Sequence, residues 1–170
     1  MTRPHAATWR RLALVALLAV ATSVSAATKL KGSEAPDFAL RSLAGQNMRL
    51  SEFRGQIVML SFWATWCGDC RAQLEQLGEM HTHYQEAGVA LLAVSLDQNR
   101  KQAEDAVARS KATYPVLHDQ AGDVGKLYDV SRMPVMMLID RSGVVREVFE
   151  GFRRGSEEQY LERMQALLRE

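Results

Sequence analysis

The residues of this chain best suited to chemistry are Cys67 and Cys70, set in the run Phe62-Trp63-Ala64-Thr65-Trp66-Cys67-Gly68-Asp69-Cys70-Arg71. They are the only two cysteines among 170 residues. Residues three apart share one face of a helical turn, so the pair can close a disulfide. A helix expected to begin near Gly68 puts Cys67 at its N-terminus. Unpaired N–H groups and the positive end of the helix dipole there favour thiolate over thiol. Thiolate is the attacking species in thiol–disulfide exchange. A Cys-x-x-Cys pair between an apolar strand and a helix therefore points to that reaction. The bland alternative is a structural staple. A bridge across two residues closes a loop so small that little entropic stabilisation results, whereas a staple would join distant parts of the chain. The redox reading is the stronger.

Positioning this pair falls first to the apolar run Ile57 to Phe62, which reads as a buried central strand. After the cysteines, Leu74, Leu77, Met80 and Tyr84 recur at helical spacing, with Glu75, Glu79 and Glu86 facing outward and Gly88 as the stop. Val89 to Leu96 is a second buried strand, and strand–helix–strand makes a parallel pair with a right-handed crossover. A weaker helix is expected over Gln98 to Lys111, a short extended piece over Tyr114 to Leu117 and a helical segment over Val124 to Tyr128. The strands Val135 to Ile139 and Val144 to Phe149 flank the turn Asp140-Arg141-Ser142-Gly143 as a hairpin. The last helix, Ser156 to Arg169, carries a Ser156-Glu157-Glu158-Gln159 capping-box pattern. Ahead of all this, Ala35 to Leu40 and Asn47 to Leu50 flank Ala44-Gly45-Gln46 as a hairpin, followed by one helical turn ended at Gly55. That prelude is expected to cover one edge of the main sheet.

Bulk composition excludes other classes. With 47% hydrophobic and 24% charged residues, the chain is ordinary globular material for one domain. Its net charge of +1 comes from Arg3, Arg10 and Arg11. Without them 18 basic residues face 20 acidic ones, so no nucleic-acid partner is expected. Those arginines form the basic start of a leader, Leu12 to Ala21 its apolar centre and Val24-Ser25-Ala26 a cleavage site. Residues 1–26 thus read as a signal peptide, or an uncleaved membrane anchor, and 27–170 as a single domain working in the periplasm or another extracytoplasmic space. Disulfides persist in such compartments.

The Phe62-to-Arg71 run, Met133-Pro134 ahead of a strand, and the closing hairpin and helix resemble the thioredoxin fold. The leader, the N-terminal hairpin and the Phe-Trp-Ala-Thr-Trp-Cys spelling resemble its extracytoplasmic TlpA/ResA-like branch of thiol–disulfide oxidoreductases, over residues 33 to 168. The resemblance implies an α/β protein: a thioredoxin-like α/β/α sandwich with a central mixed sheet, flanking helices and an N-terminal β-hairpin extension. It makes Cys67 the exposed nucleophile, Cys70 the resolving thiol, Trp66 an apolar platform and Pro134 a cis-proline whose preceding residue, Met133, pairs with a substrate strand. It implies no cofactor beyond the Cys67–Cys70 disulfide. The implied partners are cysteine-containing envelope proteins and a membrane electron donor or other thiol–disulfide partner, with the chain leaning towards reductase.

The chain also departs from that pattern. Gly68 and Asp69 occupy the two redox-tuning positions between the cysteines, and the Asp69 carboxylate opposes thiolate formation. Ser61 stands where thioredoxin has a buried aspartate, and Gln73 where ResA-like relatives often carry a glutamate; neither titrates. Glu75 replaces a helix-kinking proline. Two rival functions follow from the same residues. Copper or zinc delivery would join the cysteines to His81, His83 or His118, but the spacing suits no zinc finger, and helix neighbours two apart point away from each other. A thiol peroxidase would need a proline and a threonine where Leu60 and Ala64 stand.

Overall fold

The computed structural model describes residues 26–110 and 112–170. The expected leader falls almost wholly on residues outside these. Among the described residues no helix is long and apolar enough to cross a membrane.

β3 (Ile57–Trp63) is buried along its whole length and is the centre of the molecule. Side chains alternate across a strand. Ile57, Met59 and Trp63 therefore enter one core, while Val58, Leu60 and Phe62 enter another on the opposite face. β4 (Val89–Ser95) pairs with β3 in parallel, Ile57 opposite Val89 and Trp63 opposite Ser95. β6 (Val135–Ile139) pairs antiparallel on the other side, Phe62 opposite Val135. β5 (Val116–His118) and β7 (Val145–Glu150) complete a mixed sheet of order β5-β4-β3-β6-β7.

α1 (Cys70–Tyr84), α2 (Arg100–Arg109) and α4 (Ser156–Leu168) pack on the first face, and α3 (Asp123–Leu127) on the second. α1 buries Leu74, Leu77 and Met80 as its periodicity requires, and ends in a 3₁₀ turn at Gly88, which takes φ +83°. Truncating Leu77 to alanine would cost about 2–5 kcal/mol, because it lies wholly inside this layer. The short hairpin β1 (Ala39–Arg41) and β2 (Asn47–Arg49) lies against the outer side of β5. A Ser42–Leu117 bridge joins them, and Arg100 donates to the carbonyls of Ser42 and Leu43. Sandwich, mixed sheet and hairpin extension match the sequence expectation.

Two helix starts differ from it. α4 has no capping box: Gly155, at φ +88°, holds the N-cap position, and Ser156 lies inside the helix with its Oγ accepting from the Arg153 N–H at 3.0 Å. A cap side chain needs an extended backbone that a left-handed glycine does not provide. α1 begins at Cys70 rather than near Gly68, because Cys67, Gly68 and Asp69 form a tight turn closed by Cys70 N–H donating to the Cys67 carbonyl at 3.3 Å. α2 also runs shorter than its pattern, from an Asn99 cap whose side chain accepts from the Lys101 N–H.

Candidate active site

β3 ends at Trp63 and delivers the loop 64–69 to the C-terminal end of the sheet. A buried carboxylate holds that loop. Asp97, just past β4, accepts from the Thr65 N–H at 3.1 Å, the Thr65 hydroxyl at 2.6 Å and the Ser95 hydroxyl at 2.9 Å. Charge-assisted bonds in a dry setting are among the stronger polar contacts a protein makes. Leu96 N–H adds a bond to the Trp63 carbonyl. Nothing in the local pattern around residue 97 signals this anchor of the loop, whose partner Thr65 lies 32 residues away.

Cys67 and Cys70 form a disulfide with Cα atoms 5.4 Å apart. Their exposures differ: Cys67 is half-buried, whereas Cys70 is 1% exposed and belongs to the α1 core. Trp66, beside Cys67, is 71% exposed. Cys67 precedes the helix by one tight turn rather than lying in it. Asp69, on the turn between the two cysteines, takes the N-cap position with helical φ and ψ, is exposed and makes no capping bond from its side chain. Gly68 has open space around the site of a Cβ and no left-handed φ, so neither sterics nor backbone requires glycine there.

Met133 and Pro134 arrive from the other side of β3. The Phe62–Val135 register sets them at the same end of the sheet as the cysteine loop. Their peptide bond is cis. The Pro134 carbonyl accepts from Gly151 N–H at 2.8 Å, while the backbone of Met133 has no backbone partner among the described residues. Met133 packs against the same core cluster as Cys67. The structure thus gathers Trp66, Cys67, Gly68, Asp69, Cys70, Met133 and Pro134 at one end of the sheet.

Beneath Cys70 runs a chain of neutral polar groups. Ser61 occupies the α1-facing stripe of β3, and Gln73 lies one turn beyond Cys70 on the same helix face. Ser61 Oγ donates to Gln73 Oε1 at 2.8 Å, and Gln73 Nε2 donates to the Tyr160 hydroxyl at 3.2 Å. All three residues are buried. Burial pushes the Tyr160 phenol up, and its bonds with Gln73 and Ser156 only partly offset that, so the chain stays un-ionised at neutral pH. The two departures noted in the sequence, Ser61 and Gln73, are thus partners of one another. The i, i+3, i+7 spacing of Cys70, Gln73 and Leu77 could have placed Gln73 on the buried face; Tyr160 has no such signal.

Two histidines, His118 and His81, are engaged elsewhere. His118 is buried with Nε2 at 2.7 Å from the Asp97 carbonyl, and His81 Nδ1 lies 3.2 Å from the Thr113 hydroxyl. His81 and His83 occupy the last turn of α1, about 16 and about 20 Å along the helix from Cys70. The threonine nearest the peroxidase position, Thr65, donates its hydroxyl to Asp97 rather than presenting it at Cys67.

Comparison with known proteins agrees with this geometry. Residues 31–148 match the AhpC/TSA family. The chain is 37% identical over 120 residues to the thiol-disulfide oxidoreductase ResA of Geobacillus kaustophilus, covering 71% of this chain and 69% of that one. To ResA of Bacillus subtilis it is 31% identical over 121 residues, with 71% and 68% covered. Among solved structures, a Chlorobium tepidum protein assigned as a thiol:disulfide interchange protein DsbE superposes with a TM-score of 0.78 at 38% identity, over 81% of this chain and 97% of its own. The chain belongs to the AhpC/TSA family of thioredoxin-fold proteins and, within it, to the ResA-like thiol–disulfide oxidoreductases.

Proposed function

We propose that this oxidoreductase works outside the cytosol and reduces disulfides in cysteine-containing envelope proteins. Residues 1–26 direct it there as a signal peptide or anchor, and 27–170 are the working domain. The carrying observation is the unequal exposure of the two sulfurs, with Trp66 and the free backbone of Met133 flanking the accessible one. In the reduced protein the Cys67 thiolate attacks one sulfur of a client disulfide, forming a mixed disulfide and expelling the other client sulfur as a thiolate. Cys70 then loses its proton and attacks Cys67 Sγ. The second client thiol leaves, and two electrons have passed to the client. A membrane electron donor or another thiol–disulfide partner must return them; no cofactor beyond the bridge is needed.

Trp66 offers an apolar face to the client, and Met133, presented by Pro134, offers backbone groups to an extended client strand. The Asp69 carboxylate beside the bridge disfavours the Cys67 thiolate. That raises the stability of the oxidised relative to the thiolate form and leans the couple towards donating electrons. Cys70→Ser tests the assignment. Incubated with envelope extract, it should accumulate mixed disulfides through Cys67 that dithiothreitol releases, whereas Cys67→Ser should accumulate none. Equilibration against a glutathione series then sets direction. A potential closer to the roughly −270 mV of thioredoxin than to the roughly −120 mV of a dedicated oxidant is expected; the opposite would make the protein an oxidase.

A further inference from the structure

A cleft of about 360 Å³ opens beside Cys67, between the start of α1 and the end of α2. β4 and β6 flank β3 on opposite sides, so this cleft and Met133–Pro134 approach the sulfur from different directions. Cys67 and Gly68 lie at its head, and Arg71, Arg109, Glu75 and the buried Trp63 line it. Both arginines are exposed, and among the described residues neither has an acidic partner within salt-bridge distance. Arg49, Arg54, Arg100 and Arg163 each have one, and Arg146 has two. Trp63 forms the buried wall of the cleft. Its residue is 1% exposed, yet the indole Nε1 has no hydrogen-bond partner among the described residues. An indole N–H can only donate, and buried donors are rarely left without an acceptor.

We infer that this cleft receives a carboxylate that the substrate carries close to its reactive sulfur. The inference rests on the disulfide-exchange reading above and adds to it a rule of substrate selection. Two guanidiniums are donors only, and their planar groups match the geometry of a carboxylate. Asp69, exposed on the turn between the cysteines, does not line the cleft; among the lining side chains the opposing charge is Glu75, one turn further along α1 from Arg71. Beyond it a second cavity of about 470 Å³ shares Glu75 and Arg109 and adds Glu79. The first cavity, with Arg71 and Arg109 against Glu75, therefore attracts an anion, and the second, with Glu75 and Glu79 against Arg109, repels it. Bulk charge cannot supply the same preference, since beyond the leader 18 basic residues face 20 acidic ones. The carboxylate could be an acidic side chain beside a client cysteine or belong to a small peptide disulfide such as oxidised glutathione.

The test follows the reduced full chain reacting with disulfide peptides that differ only in Glu, Gln or Lys two residues from the cysteine. Oxidised glutathione and its carboxyl ester form a parallel arm. The expected order is Glu over Gln over Lys, with Glu roughly tenfold faster than Lys at low salt and the gap closing as salt rises. Arg109→Ala should shrink the Glu/Lys ratio and Glu75→Gln should widen it. Arg109 lies on α2, away from the first turn of α1, so its variant reads the charge without disturbing the cysteine loop. A preference confined to the glutathione arm assigns the carboxylate to a small disulfide; one among the peptides assigns it to a protein client. Exchange with a Glu/Lys ratio near one, or a ratio unmoved by Arg109→Ala, would overturn the inference while leaving the exchange reading intact. Failure of every peptide to react would remove both.

Discussion

On one side of the bridge Cys67 meets solvent among Trp66, Asp69 and the arginine-lined cleft; on the other, Cys70 rests on the un-ionised chain Ser61–Gln73–Tyr160. Charge and access are gathered around one sulfur, neutrality and burial around the other. The two cysteines are only three residues apart, so the difference comes from the turn between them. β3 brings the chain to the surface at Trp66, and the first turn of α1 carries it back into the core at Cys70. A reaction that begins at one sulfur and ends at the other needs that inequality. The attacking group must be reachable, and the resolving group must stay hidden from other disulfides until the mixed disulfide forms.

The largest disturbance of this contrast is expected at Asp97, which holds the exposed side in place. Asp97→Ala strips acceptors from the Thr65 N–H, the Thr65 hydroxyl and the Ser95 hydroxyl. It should destabilise the oxidised protein by roughly 2–4 kcal/mol, seen as a lower urea midpoint, and should slow exchange as the Cys67 loop loosens. Asp97→Asn, which keeps an acceptor, should fall between. A midpoint unchanged in the alanine variant would mean the loop is held by other contacts.

A smaller effect, with a sharper signature, is expected on the buried side. Gln73→Glu introduces the one titrating group the Cys70 surroundings lack. Burial would raise that carboxyl above its unfolded value, so it folds protonated at low pH. The unfolded chain ionises first as pH rises, and stability is therefore lost above the unfolded glutamate pKa of about 4.3. By pH 7 a loss of about 1–3 kcal/mol relative to the parent is expected, shrinking towards zero near pH 4. The resolution step, followed as release of client thiol from a preformed mixed disulfide, should gain an inflection that the parent lacks. A flat difference in stability across pH would show that residue 73 reaches water.

The smallest change is at Asp69. Its carboxylate is exposed and makes no capping bond. Asp69→Asn should lower the Cys67 pKa by roughly half a unit, measured by thiolate absorbance, and shift the couple towards oxidation. An unchanged pKa would mean that the charge is screened at the bridge, and a raised one that the carboxylate does not oppose the thiolate.

Much of this architecture was legible beforehand, for local reasons. Two cysteines at helical spacing behind an apolar run signal their own chemistry. The continuous apolar run Val135 to Ile139 and the 3–3–4 spacing of Leu74, Leu77, Met80 and Tyr84 carry their signal in a few residues. What could not be read depends on partners far apart in the chain. Gln73 reads as one more polar helix residue until β3 places Ser61 against it and α4, 87 residues on, brings Tyr160. Asp97 reads as the end of a strand until the parallel crossover sets it under Thr65. The expected capping box failed for a different reason. Its four residues have suitable types, but Gly155 takes a left-handed backbone just before them, and a side-chain pattern does not show φ.

Alkylation of the fully reduced protein tests the inequality of the sulfurs most directly. With substoichiometric iodoacetamide at neutral pH, followed by peptide mapping, carboxamidomethylation should fall almost entirely on Cys67, with Cys70 reacting only after denaturation. Equal labelling of both cysteines, or preferential labelling of Cys70, would contradict the account.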